Sequence, residues 1–439
     1  MNHSTLHPQL PDAETVDNKS FFQSGHWPTL LAAFLYFDVS FMVWILLGPL
    51  APAIMKHMHL TATQKGLMVA IPLLGGACFR PIMGALCDRI GGRKTGLMGL
   101  TLTLLPLLWG WRFASAPWHF YALGFLLGIA GASFAVALPL ASKWYPSKYQ
   151  GLVMGIAGAG NSGTLITTLF APRLAQHFGW STTFAFAALP VLLVLVMFSL
   201  LAKDSPKQTK PIGGKDYRKL LGERDTRWLC FFYSLTFGGF VGLASFLTMF
   251  FHDQYHLTPV QAGDVTTLVV FAGSYLRPLG GWLSDKFGGY RMLLGIFTAL
   301  SLALLGVAQL PTLNVAIALF FVAMGLLGMG NGAVFQLVPL RFPGNVGVVT
   351  GIVGAAGGFG GFVLPYVMGV CKDHIGSYGD GFLIYAGVFI ITVPLLLELA
   401  QGWRSNWPAE VAERAGLLKS RRVSKIQPEL IEQAEAVAE

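Results

Sequence analysis

The chain has 439 residues, of which 54% are hydrophobic and 12% charged, against roughly 25% charged in soluble domains. With a mean hydropathy of +0.59, 53 glycines and 33 phenylalanines, it reads as a chain dissolved in lipid, where Gly and Pro are tolerated inside helices. Soluble, disordered, fibrous and disulfide-scaffold readings are excluded, and the net charge of +9 points to nucleic acid only until its placement is examined.

The first 26 residues are polar, without a basic n-region or small-residue cleavage site, so no cleaved signal peptide is expected. Stretches able to cross ~30 Å of hydrocarbon, about 20 residues each, fall near 27 to 54, 65 to 86, 94 to 112, 117 to 141, 150 to 175 and 180 to 202. After a basic Pro/Gly-containing segment over 203 to 226 come 227 to 251, 262 to 284, 291 to 310, 312 to 338, 347 to 370 and 380 to 402, then a tail over 403 to 439. The expectation is an all-α membrane protein of twelve transmembrane helices in two six-helix halves, 27 to 202 and 227 to 402. Cys78, Cys87, Cys230 and Cys371 sit in or beside apolar stretches at unrelated spacings and read as packing residues, with no metal pair. His57 and His59 read as exposed loop residues and a weak metal idea at most. No cofactor fingerprint appears: the GxGxxG of Gly158, Gly160 and Gly163 lies mid-span with no strand before it.

Lys and Arg accumulate on the cytoplasmic side of membrane proteins. Here the tails and even-numbered loops hold 23 of the 30 basic residues and the odd-numbered loops five. Both termini are therefore expected in the cytoplasm of a bacterial-type inner membrane, and the positive excess is a topology signal with no bearing on nucleic acid. The two remaining cations, Arg80 and Arg277, lie inside spans two and eight.

These two arginines are mates in an internal repeat. CFRPIMGALCDRIGGRKT (78 to 95) aligns with YLRPLGGWLSDKFGGYRM (275 to 292) at an offset of 197, and GLVMGIAGAG (151 to 160) with GVVTGIVGAA (347 to 356) at 196. Two six-span halves related as parallel repeats are a transporter layout, with the site at the midplane between them.

GALCDRIGGRKT resembles the signature loop between helices two and three of the major facilitator superfamily, with GWLSDKFGGYRM as its weaker second copy. GIAGAGNSGTLIT and GIVGAAGGFGGFVLP are similar to the paired glycine-rich signatures of the nitrate/nitrite porters, and FRP, LRP and ASFAVALPLASKWYP extend the resemblance over most of the membrane region. It is closest to the assimilatory nitrate-uptake branch. The resemblance implies an alternating-access anion transporter whose clamping arginines fall on Arg80 and Arg277. Its aromatic and amide site residues fall on Tyr233, Phe237, Phe134 and Asn161. Gly357 stands where Asn161 would repeat, so the site is not fully two-fold.

An arginine at the bilayer centre costs about 2.5 to 3.5 kcal/mol on insertion scales, so it persists where it faces a polar pathway or partner. Each lies eight residues from its loop aspartate, ~12 Å along a helix and beyond snorkelling reach. Planar guanidinium forks match a planar oxyanion such as nitrate from both sides. Gly155, Gly158, Gly160 and Gly163 in span five, with Gly351, Gly354 and Gly358 in span eleven, are expected to let helices approach closely around a small substrate. Phe134 and Phe335 are candidate walls, and Tyr36, mate of Tyr233, is read as packing.

Asp38, deep in span one with Leu235 as its mate, is the candidate proton carrier; the alternative is a fixed carboxylate neutralising the arginine pair. Asp264 and Glu398, near span ends, are expected to be solvated. Asp88, Arg89, Arg93, Asp285, Lys286 and Arg291 read as gating residues at the cytoplasmic face. Importing an anion against a negative interior costs ~2.3 kcal/mol per charge per 100 mV, so uptake needs coupling. Symport of nitrate with more than one proton comes first, and nitrate/nitrite antiport second. The expected partners are nitrate or nitrite, protons and the bilayer, with the chain acting as a monomer. A nitrate receptor would call for an appended signalling domain, and no nucleophile or metal constellation supports an enzyme. The basic C-tail ends in what reads as an amphipathic helix.

Overall fold

Backbone in hydrocarbon must satisfy its polar groups within the segment, and among the described residues every regular element is helical. The computed structural model describes residues 20–56, 58, 60–146, 149–206 and 214–418. His57, His59 and the basic tail beyond 418 lie outside them.

In chain order the helices are α1 (Trp27–Trp44), α2 (Leu47–Met55), α3 (Ala62–Ile90), α4 (Gly92–Arg112), α5 (Pro117–Gly131) and α6 (Phe134–Ser142). Next come α7 (Gln150–Gly158), a 3-10 turn (Ala159–Ser162), α8 (Gly163–Phe178) and α9 (Trp180–Leu201). After α10 (Gly214–Gly222) follow α11 (Arg224–Tyr255), α12 (Pro259–Tyr275), α13 (Arg277–Phe287), α14 (Gly289–Ala308) and α15 (Leu313–Arg341). The last are α16 (Val346–His374), α17 (Tyr378–Asn406) and α18 (Ala409–Arg414).

Ten helical stretches are long and apolar enough to cross a membrane. The other two expected spans are α4, whose threonines, glycines and terminal cations dilute its leucines, and α12 with α13, broken at Leu276. Several spans expected to be continuous are therefore interrupted, at 45 to 46, 132 to 133, 159 to 162 and 276.

The repeat is visible in the backbone. Thr61 and Thr258 open α3 and α12 with capping boxes to Gln64 and Gln261, each side chain satisfying the other's backbone N–H. Gly91 and Gly288 carry φ of +89°, and Gly179 and Gly376 carry +84° and +87°, a left-handed region open mainly to glycine.

The halves meet along α3 and α16, where Gly66 lies against the Pro365 backbone and Gly369 against that of Ala62 and Thr63. On its other face α16 seats the rings of Tyr233 and Phe237 from α11 in the notch at Gly357.

Ion pairs distribute unequally between the two ends of the bundle. At the odd-loop end they cross between halves. Arg173 donates from both terminal nitrogens to Asp264 at 2.6 and 3.0 Å, Lys65 meets Asp253 at 3.4 Å, and Asp373 accepts the Ala62 and Thr63 amides at 2.8 and 2.7 Å. Asp264, expected to be solvated, is thus paired, with a partner 91 residues away in sequence. At the even-loop end the contacts stay within a half or reach the segment over 203 to 226. Asp88 pairs with Lys143 at 3.8 Å, Arg341 with Asp225, and Asp204 accepts the Arg93 amide at 3.0 Å. The segment after α17 folds back on the second signature loop, with the Tyr290 backbone amide donating to the Ala415 carbonyl at 3.0 Å and the Arg291 side chain to that of Leu418 at 2.8 Å.

Candidate functional site

The break between α5 and α6 sets up the first arginine. Ending α5 at Gly131 frees a carbonyl of the kind every helix C-terminus leaves unpaired, and Arg80 Nε donates to it at 3.0 Å. Arg80 Nη1 donates to the Gly354 carbonyl of α16, in the other half. The residue is 2% exposed, and its Nη2 has no partner among the described residues. Its guanidinium lies over three rings, Phe237 at 5.1 Å, Trp44 at 5.2 Å and Phe134 at 5.8 Å.

Arg277 opens α13 immediately after the break at Leu276. It lies over Phe335 at 5.8 Å and Phe134 at 6.0 Å, so Phe134 adjoins both arginines. Its Nη1 is buried without a partner among the described residues. Tyr233 is buried and stacked on Phe237 at 5.0 Å, the ring that lies under Arg80. The two guanidinium groups also repel each other, and neither is in an ion pair among the described residues. Asn161, 1% exposed, has neither amide atom partnered among the described residues. The result is a buried pair of positive charges with unused, directed N–H donors and aromatic walls, an arrangement complementary to a small anion.

The expected residues Arg80, Arg277, Tyr233, Phe237 and Phe134 come together, and Phe335 joins them at 4.8 Å from Tyr233. Trp44 had no role assigned from sequence. Its signal was its place mid-span, away from the interface where tryptophans gather; its Nε1 donates to the Pro72 carbonyl at 2.7 Å and fixes the ring.

The glycines divide. Gly160 presses on the Phe37 side chain and Asp38 backbone of α1 and Gly163 on the Asp38 backbone, while a side chain at Gly354 would begin 3.7 Å from Phe134 and one at Gly358 3.0 Å from Ala77. Gly155 and Gly158 were expected to pack as well, but a side chain there would meet nothing within 4 Å. They face open space one turn or two from Asn161.

Asp38 accepts from the Ser162 hydroxyl at 2.6 Å and is hydrogen-bonded to neither arginine, so the neutralising role considered for it has no geometric support. Tyr36 packs on Phe198 at 5.3 Å. Of the gating candidates, Arg93 donates to the Ser199 carbonyl at 2.8 Å, Lys286 lies over Trp282 and Phe287 at 5.7 and 5.4 Å, and Asp285 has no ion pair among the described residues. A cavity of about 290 Å³ at the first signature loop is lined by Asp88, Arg89, Lys94, Lys143 and Asp204, eight or more residues along the chain from Arg80. Tyr217 of α10 reaches across to α16, its hydroxyl 3.2 Å from where a Gly351 side chain would begin. Burial there pushes the phenol above its ordinary pKa, and the Asp88 carboxylate adds to the rise.

Comparison with known proteins extends the picture. Residues 31–365 and 229–415 match the family described as the Major Facilitator Superfamily. A nitrite extrusion protein of Bacillus subtilis is 34% identical over 358 residues, 81% of this chain and 90% of that protein. A probable nitrate/nitrite antiporter, NarK1 of Thermus thermophilus, is 32% identical over 410 residues, 84% and 91%. Among solved structures, the E. coli xylose transporter XylE in a partially occluded inward open conformation superposes with a TM-score of 0.68 at 16% identity, covering 85% of this chain and 99% of that one.

Proposed function

The chain belongs to the Major Facilitator Superfamily, and from that premise we propose that it carries nitrate across the membrane by alternating access, holding the ion between Arg80 and Arg277. The observation that carries this reading is the pair of buried donors, Arg80 Nη2 and Arg277 Nη1, without partners among the described residues, on two like charges that no described carboxylate pairs with. A bound anion satisfies both donors and removes the repulsion. Nitrate remains ionised at biological pH and presents three equivalent oxygens to the two forks, with the Asn161 amide and the Tyr233 hydroxyl as neutral partners. The family relatives named for nitrate and nitrite support the same class of cargo.

On this reading the halves are 27 to 202 and 227 to 402, the termini face the cytoplasm, and the inter-half ion pairs hold the external face shut. Nitrate uptake is driven by protons, with Asp38 as carrier: its carboxylate ties α1 to the 3-10 turn of span five through Ser162, so protonation changes a contact next to Asn161. In proteoliposomes, Asp38→Asn is expected to keep nitrate exchange and lose the acceleration by an inward proton gradient. Unchanged gradient-driven accumulation would overturn the assignment.

Nitrate/nitrite exchange is the second reading. It is favoured by the separation of Asp38 from both arginines and by the antiporter name of the Thermus relative. Wild-type vesicles loaded with nitrite, compared with empty ones, separate the two: exchange requires the internal anion, whereas symport requires only the proton gradient.

A further inference from the structure

Asn161 is 1% exposed, and its amide nitrogen and its carbonyl oxygen both lack a partner among the described residues. A bound anion answers only half of that need. Nitrate carries no proton, so it accepts from Nδ2 and has nothing to give Oδ1. A buried acceptor left unsatisfied is costly, and Oδ1 therefore calls for a donor from the protein.

The packing of α12 on α8 shows where such a donor stands. A side chain at Gly263 would begin 2.6 Å from the Thr168 carbonyl oxygen and 2.8 Å from the Pro172 ring, and Thr267 donates to the Thr168 hydroxyl at 2.8 Å. Residue numbers fall along α8 as they rise along α12, so the two helices run antiparallel across the boundary between the halves. Ser274 lies seven residues beyond Thr267, two turns on and within about 20° of the same face. Asn161 lies seven residues before Thr168, reached through the start of α8 and the 3-10 turn. Each step covers about 11 Å, and α12 touches the 3-10 turn. Ser274 and Asn161 therefore stand opposite each other. The Ser274 hydroxyl is itself buried, with no partner among the described residues.

The repeat places their mates in the same relation. Ala77 is the mate of Ser274, and Gly357 that of Asn161. Between α3 and α16, Ala77 lies 3.0 Å from where a side chain at Gly358, the neighbour of Gly357, would begin. One inter-half contact carries a hydroxyl facing an amide, and its mate carries neither.

We infer that Ser274 is a positioning residue of the anion site, its hydroxyl donating to Asn161 Oδ1 so that the Nδ2 hydrogens stay on the anion. The inference rests on the nitrate reading above and adds a residue to it. Both groups are without partners in this conformation, so the bond is open here and closes as the halves draw together on the anion. Asn161 belongs to the first half, and Ser274 stands three residues before Arg277 in the second. The bond thereby ties occupancy of the site to the approach of span eight.

The test uses the full-length protein in liposomes, with counterflow of labelled nitrate over a range of concentrations, and thermal unfolding of the purified protein without nitrate. Ser274→Ala is expected to raise the half-saturating nitrate concentration about fivefold, the worth of one neutral hydrogen bond. Nitrate-free unfolding should be unchanged, because the hydroxyl has no partner to lose there. Ser274→Thr keeps the hydroxyl and should stay within twofold of wild type. In an Asn161→Ala background Ser274→Ala should cost less than twofold, since the group it positions is gone; Asn161→Thr is the background where Asn161→Ala shows no saturation. Half-saturation within twofold of wild type in Ser274→Ala would overturn the assignment. So would a fivefold loss that persists in either background, which would put the hydroxyl on the anion itself. Impaired folding or a lowered nitrate-free unfolding temperature in Ser274→Ala would mark the hydroxyl as structural and overturn it as well. Where neither background saturates, Ser274→Thr decides, and a loss equal to that of Ser274→Ala sinks the hydrogen bond. Absence of nitrate counterflow in the wild type would instead overturn the nitrate reading, and the positioning role with it.

Discussion

Replacing Arg80 by lysine keeps the charge and removes the fork. In the structure Nε is committed to the Gly131 carbonyl and Nη1 to that of Gly354, which leaves Nη2 for an anion. A lysine ammonium carries its three N–H groups on one atom and cannot serve two carbonyls from separate helices while aiming a third donor at the ligand. At least one charge-assisted hydrogen bond is lost, worth about 1.5–3 kcal/mol in a buried site, so apparent nitrate affinity should fall ~10- to 150-fold. Counterflow over a range of nitrate concentrations reads this directly, and thermal unfolding separates affinity from folding. Half-saturation within threefold of wild type in a stably folded Arg80→Lys protein would refute the claim that guanidinium geometry, beyond charge, holds the anion.

Asp264→Asn removes the bidentate pair with Arg173, whose side chains are 42% and 37% exposed. After solvent screening such a pair contributes about 0.2–1 kcal/mol, so opening at the odd-loop end should rise by up to about fivefold. An impermeant thiol reagent applied to Thr267→Cys in a cysteine-free background measures it, and an unchanged labelling rate would show that the pair does not hold that face. Gly163→Ala drives a methyl group into the Asp38 backbone carbonyl and should destabilise by about 1–3 kcal/mol. Gly155→Ala, with nothing within 4 Å, should gain up to about 1 kcal/mol of helix propensity. Equal losses of unfolding temperature in the two variants would contradict the packing described for span five.

How much of the fold and site is legible in the sequence follows from which interactions leave a mark in residue identity. Arg80 and Arg277 stood out because a cation within an apolar span has few bland explanations, and the repeat doubled the signal. Their anchors did not stand out, since Arg80 is held by the carbonyls of Gly131 and Gly354 and a backbone oxygen has no letter of its own. The break that frees the Gly131 carbonyl falls in GASF, where no proline marks it. Asp264 was assigned to solvent because an ion-pair partner in another helix cannot be read from one chain. Glycine identity suggested close packing at Gly155 and Gly158 as readily as at Gly160 and Gly163, since a missing side chain looks the same against a neighbour or against open space.

The two faces of α16 have different mechanical characters. Toward α11, the rings of Tyr233 and Phe237 sit in the notch at Gly357, and interlocked side chains resist shear because each must leave its recess before the next position is reached. Toward α3, backbone lies on backbone at Gly66 and Gly369, and the register is held by polar ties, Asp373 to the Ala62 and Thr63 amides and Arg80 to the Gly354 carbonyl. One helix is thereby interlocked with its own half by rings seated against glycine, and tied to the other half by hydrogen bonds that a sliding displacement has to exchange.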